Sequence, residues 1–508
     1  MRAVPGTVLL LWFAAGWSPL IPERAVAPRN LIVPPAAETE TSVTLFWDKP
    51  ADAARTHGYD VFQDGRQIAS VTQTLHTVTD LTPGQAYTFR VRARDSRGAV
   101  SAFGNPVRHR TRARGAVFDV TGYGAVGDGL TRDTAAIQRT IDACTPGGTV
   151  RIPAGTFLSG ALRLKSGMTL HIARGGVLKG SADPADYLPF VRNRFSGWER
   201  ETYASLLNAG TLARPGIVTV SNLTLRGEGK IDGGGLALAT AMREAEGYYS
   251  RGRLVCLLNA QNILIQGLTL ENPPSWNLHL IYSCGITCEG LTVISEKIPQ
   301  ADGIDPDSSS ACYILNCDFF TSDDCIAIKS GKNPEGNRIG APTENIMIAY
   351  SRFAGHGLSI GSEMSGGVRN VTVRDCELAA DVLNGLQIKA PKERGGYVRD
   401  IRVEDSRVNK IRIFTKLSYN QNYEAAPEMP YLGEISFANL DMRQGDPRPN
   451  QAGRPAILID GYEGHSGRIG PLLFRNIRLP PNASVSLRSC REVTFEDVTT
   501  EDGGTPVF

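Results

Sequence analysis

Asn262-Ile-Leu-Ile265 is one copy of the short sequence pattern that decides how most of this chain folds. The pattern starts with a polar residue or glycine and then places apolar residues at alternate positions, as in a strand with one buried face. Most copies start about 20 to 40 residues apart. Self-similarity at this period indicates a solenoid, and the lack of helical periodicity favours a β-solenoid over a helical repeat. The copies start at Asn222, Asn262, Gly285, Asn345, Asn370, Asp400, Glu434 and Glu492.

Four polar residues form a second repeat, because each lies two positions before the first apolar residue of a strand-like run. If these runs are successive rungs of one parallel sheet, neighbouring polar groups lie about 4.8 Å apart. Asp323 stands directly beside one of the four. Three carboxylates and an imidazole on or beside one line can do acid–base work on a bond lying across them. The runs are Asp302-Gly-Ile304, Asp324-Cys-Ile326, His356-Gly-Leu358 and Asn384-Gly-Leu386.

Composition narrows the class of protein. A chain of 508 residues is long enough for two or more domains, and its formal net charge of +2 gives no strong field for nucleic acid or membrane lipid. The nine cysteines are an odd number, so at least one thiol stays unpaired in a monomer. No cysteine pair has the spacing of a zinc site. We expect the cysteines Cys284, Cys288, Cys312 and Cys317 to be interior residues of strands.

The N-terminus predicts export. Met1-Arg2 is followed by an apolar stretch from about Val8 to Trp17 and then by Ala25-Val26-Ala27, as in a secretory signal. The apolar stretch is too short to span a bilayer, and no other stretch looks transmembrane. We therefore predict a signal peptide over residues 1–27 and an exported protein, either periplasmic or secreted.

Residues 28–113 differ in texture from the rest of the chain. The runs 42–47, 58–62 and 87–93 alternate apolar and polar residues, and Asp64-Gly65 is a hairpin signal. Leu81–Tyr87 resembles the corner of fibronectin type III domains, in which a tyrosine hydroxyl bonds back to the backbone. We predict a small fibronectin type III-like β-sandwich with Trp47 in its core and a spacing or weak-interaction role.

Residues 114–508 contain eight stretches that together resemble one known family, the polygalacturonase family of glycoside hydrolases. The resemblance implies a right-handed parallel β-helix, so we predict an all-β protein in which this helix follows the small sandwich. The stretches are Val120–Gly129, Asp133–Gln138, Gly227–Gly233, Asn272–His279, Asp302–Asp307, Ser322–Cys325, Gly355–Gly357 and Gly385–Lys389.

The resemblance implies an inverting hydrolase that cleaves α-1,4-galacturonosidic linkages in pectin. Inversion needs a protonated carboxyl at the leaving oxygen and a carboxylate that activates water, roughly 6.5–9.5 Å apart. By resemblance Asp323 is the general acid, Asp302 and Asp324 activate the water, and His356 lies near the acid. Because three clustered carboxylates cannot all ionise cheaply, one of them should hold its proton near neutral pH.

The candidates for substrate binding are Lys389, Gln387, Gln300, Lys329 and His279. By resemblance Lys389 binds a sugar carboxylate in the leaving-group subsite. Gln387 stands where the family usually has Arg, and Gln300 stands where it usually has Asn. An amide cannot form the bidentate, charge-assisted grip of a guanidinium, so a hydrolase of rhamnogalacturonan or other branched pectin stays open as an alternative. No metal or other cofactor is implied.

A fibronectin-like module before such a helix resembles bacterial exo-acting polygalacturonases, so we favour exo action. A pectate lyase on the same fold is a further hypothesis, but the set Asp323, Asp324 and His356 does not resemble a lyase site. A non-catalytic, polysaccharide-binding β-solenoid is the third, and the intact acid–base set argues against it. The expected partner is pectic polysaccharide, with neither nucleic acid nor membrane after signal removal; the sequence does not report the oligomeric state.

Overall fold

The computed structural model describes residues 25–51, 53–295, 297–416, 424–445 and 454–508. One unit of the described chain runs to Val33 and from Thr41 to Thr111, and a second comprises Pro34–Glu40 and Arg112–Phe508. Most of the predicted signal peptide, residues 1–24, lies outside the described residues. Within the described part of the chain, no helix is long and apolar enough to cross a membrane.

The smaller unit is an antiparallel β-sandwich, as predicted. Trp47 has no exposed surface, and its ring meets that of Tyr59 edge to face at 5.4 Å. The Tyr87 hydroxyl accepts a hydrogen bond from the backbone N–H of Thr82 at 2.8 Å, so the predicted tyrosine corner is present. The strands are Arg29–Ile32, Val43–Asp48, Thr56–Gln63, Arg66–Val71, Leu75–Val78, Ala86–Asp95, Val100–Phe103 and Val107–Arg110.

The larger unit is a parallel β-helix, in which successive coils add strands to two long sheets. In the longer sheet the repeats pair in register, so that Ile263 lies between Leu223 and Ile286 of the neighbouring coils. Apolar side chains of equivalent positions therefore stack into columns in the core. The strands of this sheet are Val117–Asp119, Asp128–Arg132, Thr149–Ile152, Gly155–Ser159, Thr169–Ile172, Gly176–Gly180, Val220–Gly227, Lys230–Asp232, Ala260–Gln266, Thr269–Glu271, Cys284–Glu289, Thr292–Ser295, Ser310–Leu315, Asp318–Thr321, Thr343–Ala349, Arg352–Gly355, Val368–Arg374, Glu377–Val382, Tyr397–Glu404, Arg407–Val408, Tyr431–Asp441, Leu472–Leu479 and Val493–Thr500.

Backbone geometry explains the polar residue that starts each repeat. Asn222, Asn262, Asn345 and Asn370 have φ angles of 54°, 55°, 58° and 52°. This left-handed region is one that asparagine adopts more readily than most other L-residues. The amides also bond between coils, because Nδ2 of Asn370 donates to Oδ1 of Asn345 at 2.6 Å. Each asparagine therefore forms a left-handed bend at the third residue of its strand, and its side chain bonds to the asparagine of a neighbouring coil.

The second long sheet carries the polar column expected from the sequence. Ile304, Ile326, Leu358 and Leu386 are successive partners in its register, so the predicted rungs are real. The residues two positions earlier, which form the column, are Asp302, Asp324, His356 and Asn384. The strands of this sheet are Leu162–Leu164, Leu207–Ala209, Val255–Leu258, Leu278–Ile281, Ile304–Asp307, Ile326–Ile328, Leu358–Gly361, Leu386–Lys389, Ile411–Phe414, Ile457–Asp460 and Val485–Arg488.

The remaining described elements are short. Asp133 lies at the N-cap position of the first α-helix, but its carboxylate makes no capping hydrogen bond to that helix. Instead it accepts hydrogen bonds from the backbone N–H groups of Val126 at 2.7 Å and Gly127 at 3.1 Å, which fixes the preceding loop. The α-helices are Thr134–Ala143, Gly235–Glu246 and Glu335–Ile339, the 3₁₀ segments are Ala53–Arg55, Val120–Tyr123, Pro184–Tyr187 and Ser466–Arg468, and the antiparallel hairpin joins Val191–Phe195 to Trp198–Thr202.

All nine cysteines lie within the described residues and are free thiols. Cys288 and Cys312 are buried in strands as predicted, whereas Cys317 is buried between the strands Ser310–Leu315 and Asp318–Thr321. Cys284 is exposed, so the prediction was wrong at this position. The reason is that Cys284 precedes Gly285, whose φ of 70° turns the chain before the buried part of the strand begins.

Candidate active site

Three of the column residues lie in the turns that lead into successive strands of the second sheet. The N–H of Gly303 donates to the carbonyl of Asp324 at 2.9 Å, and the N–H of Cys325 donates to that of Gly357 at 2.8 Å. These bonds hold the turns one coil apart. Because the chain enters the core directly after each turn, Asp302 and Asp324 are only 4 % and 5 % exposed.

Asp302 is held by a buried lysine. Nζ of Lys329 lies 2.8 Å from Oδ2 of Asp302 and 3.4 Å from Oδ2 of Asp305. The same ammonium lies 3.6 Å from the ring centroid of Trp276. Burial raises the pKa of Asp302 to about 7; Lys329 opposes this change, whereas the neighbouring carboxylates add to it. Asp302 is therefore a carboxyl that changes its charge near neutral pH.

Asp324 is held by three donors. Nζ of Lys389 lies 2.7 Å from its Oδ2. The hydroxyl of Ser359 donates to its Oδ1 at 2.7 Å, and Nε2 of Gln387 reaches the same oxygen at 3.4 Å. Gln387 also donates to the Ser359 hydroxyl at 2.9 Å. The two oxygens of Asp324 are thus fixed in position by a cation on one side and a serine–glutamine pair on the other.

Asp323 is paired with His356. Nδ1 of His356 lies 3.1 Å from Oδ1 of Asp323, and the two side chains are 32 % and 31 % exposed. Burial alone would raise the pKa of Asp323, but the hydrogen bond and charge of His356 leave it below its ordinary value. The same hydrogen bond raises the pKa of His356. One proton is therefore shared by this pair and favours the imidazole, whereas the carboxyl with the raised pKa is Asp302.

These carboxylates line a cavity of about 440 Å³. Lys329 and Lys389 line it beside their partners Asp302 and Asp324. Lys332 also lines it, and its Nζ lies 3.6 Å from Oε1 of Glu363. Tyr248, Tyr249 and Trp276 contribute aromatic surface. The predicted site residues that this cavity brings together are Asp302, Asp323, Asp324, Lys329, Lys389 and Gln300.

Two predicted substrate-binding residues lie outside the cavity lining. His279 has no exposed surface, and its Nε2 lies 3.3 Å from Oδ2 of Asp307, which also forms an ion pair with the buried Arg194 at 2.6 Å. Burial lowers the pKa of His279 to about 3. Gln387 is 3 % exposed and faces Asp324. Their strands therefore turn these side chains toward the protein rather than into the cavity.

Some residues of the cavity lining, and one contact within it, could not be found from the sequence. Gln300 was predicted, but its Oε1 is taken by Nη2 of Arg251 at 2.5 Å, a partner that the sequence did not suggest. Tyr248 and Tyr249 follow the helix Gly235–Glu246, and Glu363 follows a strand end without any recurring pattern. Lys332 offered one signal, since it lies near the start of the long segment 331–342 between two strands of successive coils.

Comparison with known families identifies the larger unit. A model described as glycosyl hydrolases family 28 matches residues 149–442, which is more than half of the chain. The chain belongs to glycosyl hydrolases family 28. This family 28 chain is therefore a glycoside hydrolase, and a fibronectin type III model matches its residues 26–110. A further model, rhamnogalacturonase A/epimerase, pectate lyase-like, matches residues 117–175.

Three relatives of this family 28 chain extend the comparison. An exo-poly-alpha-D-galacturonosidase of Dickeya chrysanthemi is 26 % identical over 95 % of this chain and 92 % of its own length. The solved structure of the Yersinia enterocolitica family 28 exopolygalacturonase has a TM-score of 0.77 at 25 % identity, covering 95 % of this chain and 100 % of that one. The exopolygalacturonase of Thermotoga maritima has a TM-score of 0.63 at 27 % identity, covering 76 % and 92 %.

Proposed function

We propose that this family 28 glycoside hydrolase removes galacturonate from the ends of polygalacturonate chains by inverting hydrolysis of α-1,4 linkages. The observation that carries the proposal is the cavity in which Asp302, Asp323 and Asp324 meet, each with its own cationic or imidazole partner. Three carboxylates in unlike environments suit a reaction that needs a proton donor and a proton acceptor at the same time.

In the proposed reaction Asp302 and Asp324 activate the attacking water, whose proton passes to one of the two carboxylates. Lys389, Ser359 and Gln387 orient Asp324 for this step. Asp302 acts in its ionised form, with Lys329 stabilising the carboxylate. A preorganised base of this kind needs no rearrangement as charge develops in the transition state.

Asp323 gives a proton to the leaving oxygen, and His356 supplies it. Oδ1 of Asp323 accepts a hydrogen bond from the N–H of Asp324 at 3.0 Å and lies 3.1 Å from Nδ1 of His356, so Oδ1 is the atom at which the imidazolium proton reaches Asp323. As the glycosidic bond breaks, the leaving oxygen becomes basic and draws the proton from the pair. The low pKa of Asp323 in the free enzyme is thus compatible with an acid role, because the imidazolium is its proton reserve.

The lysines of the cavity lining support a polyuronate substrate. Lys329, Lys332 and Lys389 all line it, and ammonium groups attract the carboxylate that each galacturonate carries. The Dickeya and Yersinia relatives are named as enzymes that act on the same polymer by exo action. Because Gln387 contacts Asp324 and Ser359 rather than the cavity, it gives no specific support to branched pectin.

The lyase alternative fits these residues less well. Asp323, Asp324 and His356 place ligand atoms within 4.8 Å of one another, a spacing that a cation could use. A metal would need an unprotonated imidazole, whereas the hydrogen bond to Asp323 raises the pKa of His356. A metal would also compete with the ammonium of Lys389 for Asp324. The donor set therefore favours hydrolysis.

We further propose export to the periplasm or the exterior, with residues 1–27 as the signal peptide. The basic start, short apolar stretch and small residues of that segment support this placement. The division into residues 28–113 and 114–508 stays a prediction of the domain boundaries. Pectic polysaccharide is the proposed partner.

The proposal is tested by product analysis and one substitution. Polygalacturonate should yield the same small product from the first minutes, with a slow fall in viscosity, and Asp323→Asn should lower kcat by at least about 1,000-fold. Asp318→Asn, which breaks only a surface ion pair with Arg352, is the matched control and should keep wild-type activity. An unsaturated, ultraviolet-absorbing product, or full turnover by Asp323→Asn, would overturn the proposal.

A further inference from the structure

The outer face of the fibronectin type III-like sandwich carries five arginines. Along the strand Ala86–Asp95 the odd-numbered residues from Tyr87 to Ala93 are buried in the core, so the even-numbered side chains point outward. The strand Val107–Arg110 pairs with it so that Arg108 lies opposite Thr88 and Arg110 opposite Ala86, on the same outward face. We call this set the arginine face; its members are Arg90, Arg92, Arg94, Arg108 and Arg110.

The arginine face has an excess of positive charge. Asp60 pairs with Arg92 at 3.0 Å and with Arg94 at 3.4 Å, and its side chain is only 4 % exposed. Arg90, Arg108 and Arg110 are exposed and have no carboxylate within ion-pair distance among the described residues. A partner with regularly placed negative charges would therefore meet three guanidinium groups at once.

Two aromatic rings lie within the arginine face and hold its side chains. Phe62 and Phe103 meet edge to face at 4.9 Å, and Phe103 is 38 % exposed. The guanidinium of Arg92 lies 5.0 Å from the Phe62 ring, and that of Arg90 lies 5.7 Å from the Phe103 ring. Guanidinium groups packed on rings lose less conformational entropy on binding than free ones, and the ring surface offers an apolar contact for a sugar.

The spacing of these groups suits a linear polyanion. Alternate residues of a strand lie about 6.6–6.8 Å apart, and diagonal neighbours on paired strands lie about 7–8 Å apart. A chain with one carboxylate per sugar can therefore engage Arg90, Arg108 and Arg110 together, with guanidinium–carboxylate bonds at each. The energies of the single pairs are small, but several on one chain reinforce each other.

We propose that the arginine face is a second binding site for polygalacturonate, separate in its residues from the hydrolytic cavity. This inference rests on the substrate of the proposed function. Acidic polysaccharide is favoured over nucleic acid because the same chain carries a family 28 unit with three lysines in its catalytic cavity. The face would keep the polymer bound while its ends are processed.

The test is polymer binding by the full-length chain in the turnover-deficient Asp323→Asn background. Affinity electrophoresis through gels with polygalacturonate compares Arg90→Gln/Arg108→Gln/Arg110→Gln with Arg29→Gln/Arg66→Gln/Arg97→Gln. The control set removes three exposed arginines of the same unit that lie outside the arginine face, so both variants lose equal charge. We expect the first set to weaken binding about tenfold, the factor that three exposed ion pairs of ordinary strength give, and the control less than about twofold.

Two further measurements make the outcome decisive. With Asp323 restored, both triple variants should hydrolyse trigalacturonate at the wild-type kcat/KM, while only the first should show a raised KM on the polymer. Gels with neutral galactan should retard none of the proteins, and added salt should weaken polymer binding. If the triple variant does not fold by circular dichroism, Arg90→Gln/Arg108→Gln against Arg66→Gln/Arg97→Gln replaces it.

The results separate this inference from the proposed function. Equal effects of the two triple sets, or equally tight binding of a DNA duplex by the wild type, would overturn the second site. Failure of the wild type to hydrolyse polygalacturonate would overturn the proposed function, yet the difference in polymer binding between the two triple sets would still be readable. Selective weakening by the first set supports the arginine face in either case.

Discussion

Single residues of the cavity act as pairs of unlike charge. Lys329 pairs with Asp302, Lys389 pairs with Asp324, and His356 pairs with Asp323. Because burial and partner differ at each carboxylate, the pKa of Asp302 is raised to about 7 while that of Asp323 is lowered. Neighbouring identical side chains thereby acquire different roles in proton transfer.

Lys329→Gln tests how Asp302 is kept ready to act. Asp302 works in its ionised form, and removal of the ammonium disfavours that form, so the pKa of Asp302 should rise beyond about 7. The rising limb of kcat/KM against pH should therefore move to higher pH, and at any pH below the limb each tenfold fall in the ionised fraction should lower kcat/KM about tenfold. The measurement is a pH profile of kcat/KM on trigalacturonate.

Lys332→Gln is the matched control for that profile. Lys332 also lines the cavity, but its partner is Glu363 at 3.6 Å rather than Asp302, Asp323 or Asp324. Its loss should leave the rising limb in place. An unmoved limb in Lys329→Gln, or an equal displacement in both variants, would contradict the assignment of that limb to Asp302.

The sequence predicted which residues lie close together, but not whether each side chain points into the cavity or into the protein. The carboxylates were found because the spacing of Asp302 and Asp324 repeats with the coil, and the register of the sheet preserves that spacing. His279 and Gln387 could not be sorted in the same way. Whether such a side chain enters the cleft or the protein depends on its partners on the neighbouring coil, such as Asp307 and Ser359.

The bend in each strand and its bond to the neighbouring coil are both set by the polar residue that starts the repeat. A left-handed turn residue that also bonds to the next coil explains why asparagine recurs there. This element was predictable because turn conformation and strand alternation both leave local marks in the sequence. The contacts of Asp133 were not, since its hydrogen bonds to Val126 and Gly127 depend on how the loop folds back.

Asn370→Ala tests the double role of the turn asparagine. Alanine loses the 2.6 Å bond to Asn345 and is strained at a φ of 52°, so the free energy of unfolding should fall by about 1–2 kcal/mol. Asn370→Gly loses the bond but tolerates the backbone angle, and should cost less than alanine. Urea unfolding followed by circular dichroism measures both. A glycine variant as unstable as the alanine variant would show that the φ angle contributes little.

Among the described residues, each of the two units has its own main hydrophobic core, and these two cores share no residues. The smaller core surrounds Trp47, and the larger one extends along the coils of the β-helix. The presence of both units could be predicted from the change in sequence texture near residue 114. Each core should unfold cooperatively on its own.

Trp47→Ala tests this separation. Trp47 has no exposed surface, and loss of a buried tryptophan costs about 3–5 kcal/mol. Scanning calorimetry of the wild type should resolve two transitions, and the substitution should lower only one of them. When the Trp47→Ala variant is heated through the transition that the substitution has lowered, its hydrolysis of trigalacturonate should survive. A single transition that moves as one would argue that the two cores unfold together.

The exposure of the nine free thiols determines which of them can be labelled in the folded protein. Eight are buried or half-buried, and burial raises the pKa of most of them, so they are poor nucleophiles in the folded state. Cys284 stands exposed at the start of its strand. A maleimide dye should therefore label the native protein at this position without engineering, giving a ready-made attachment point for following single molecules on a polymer.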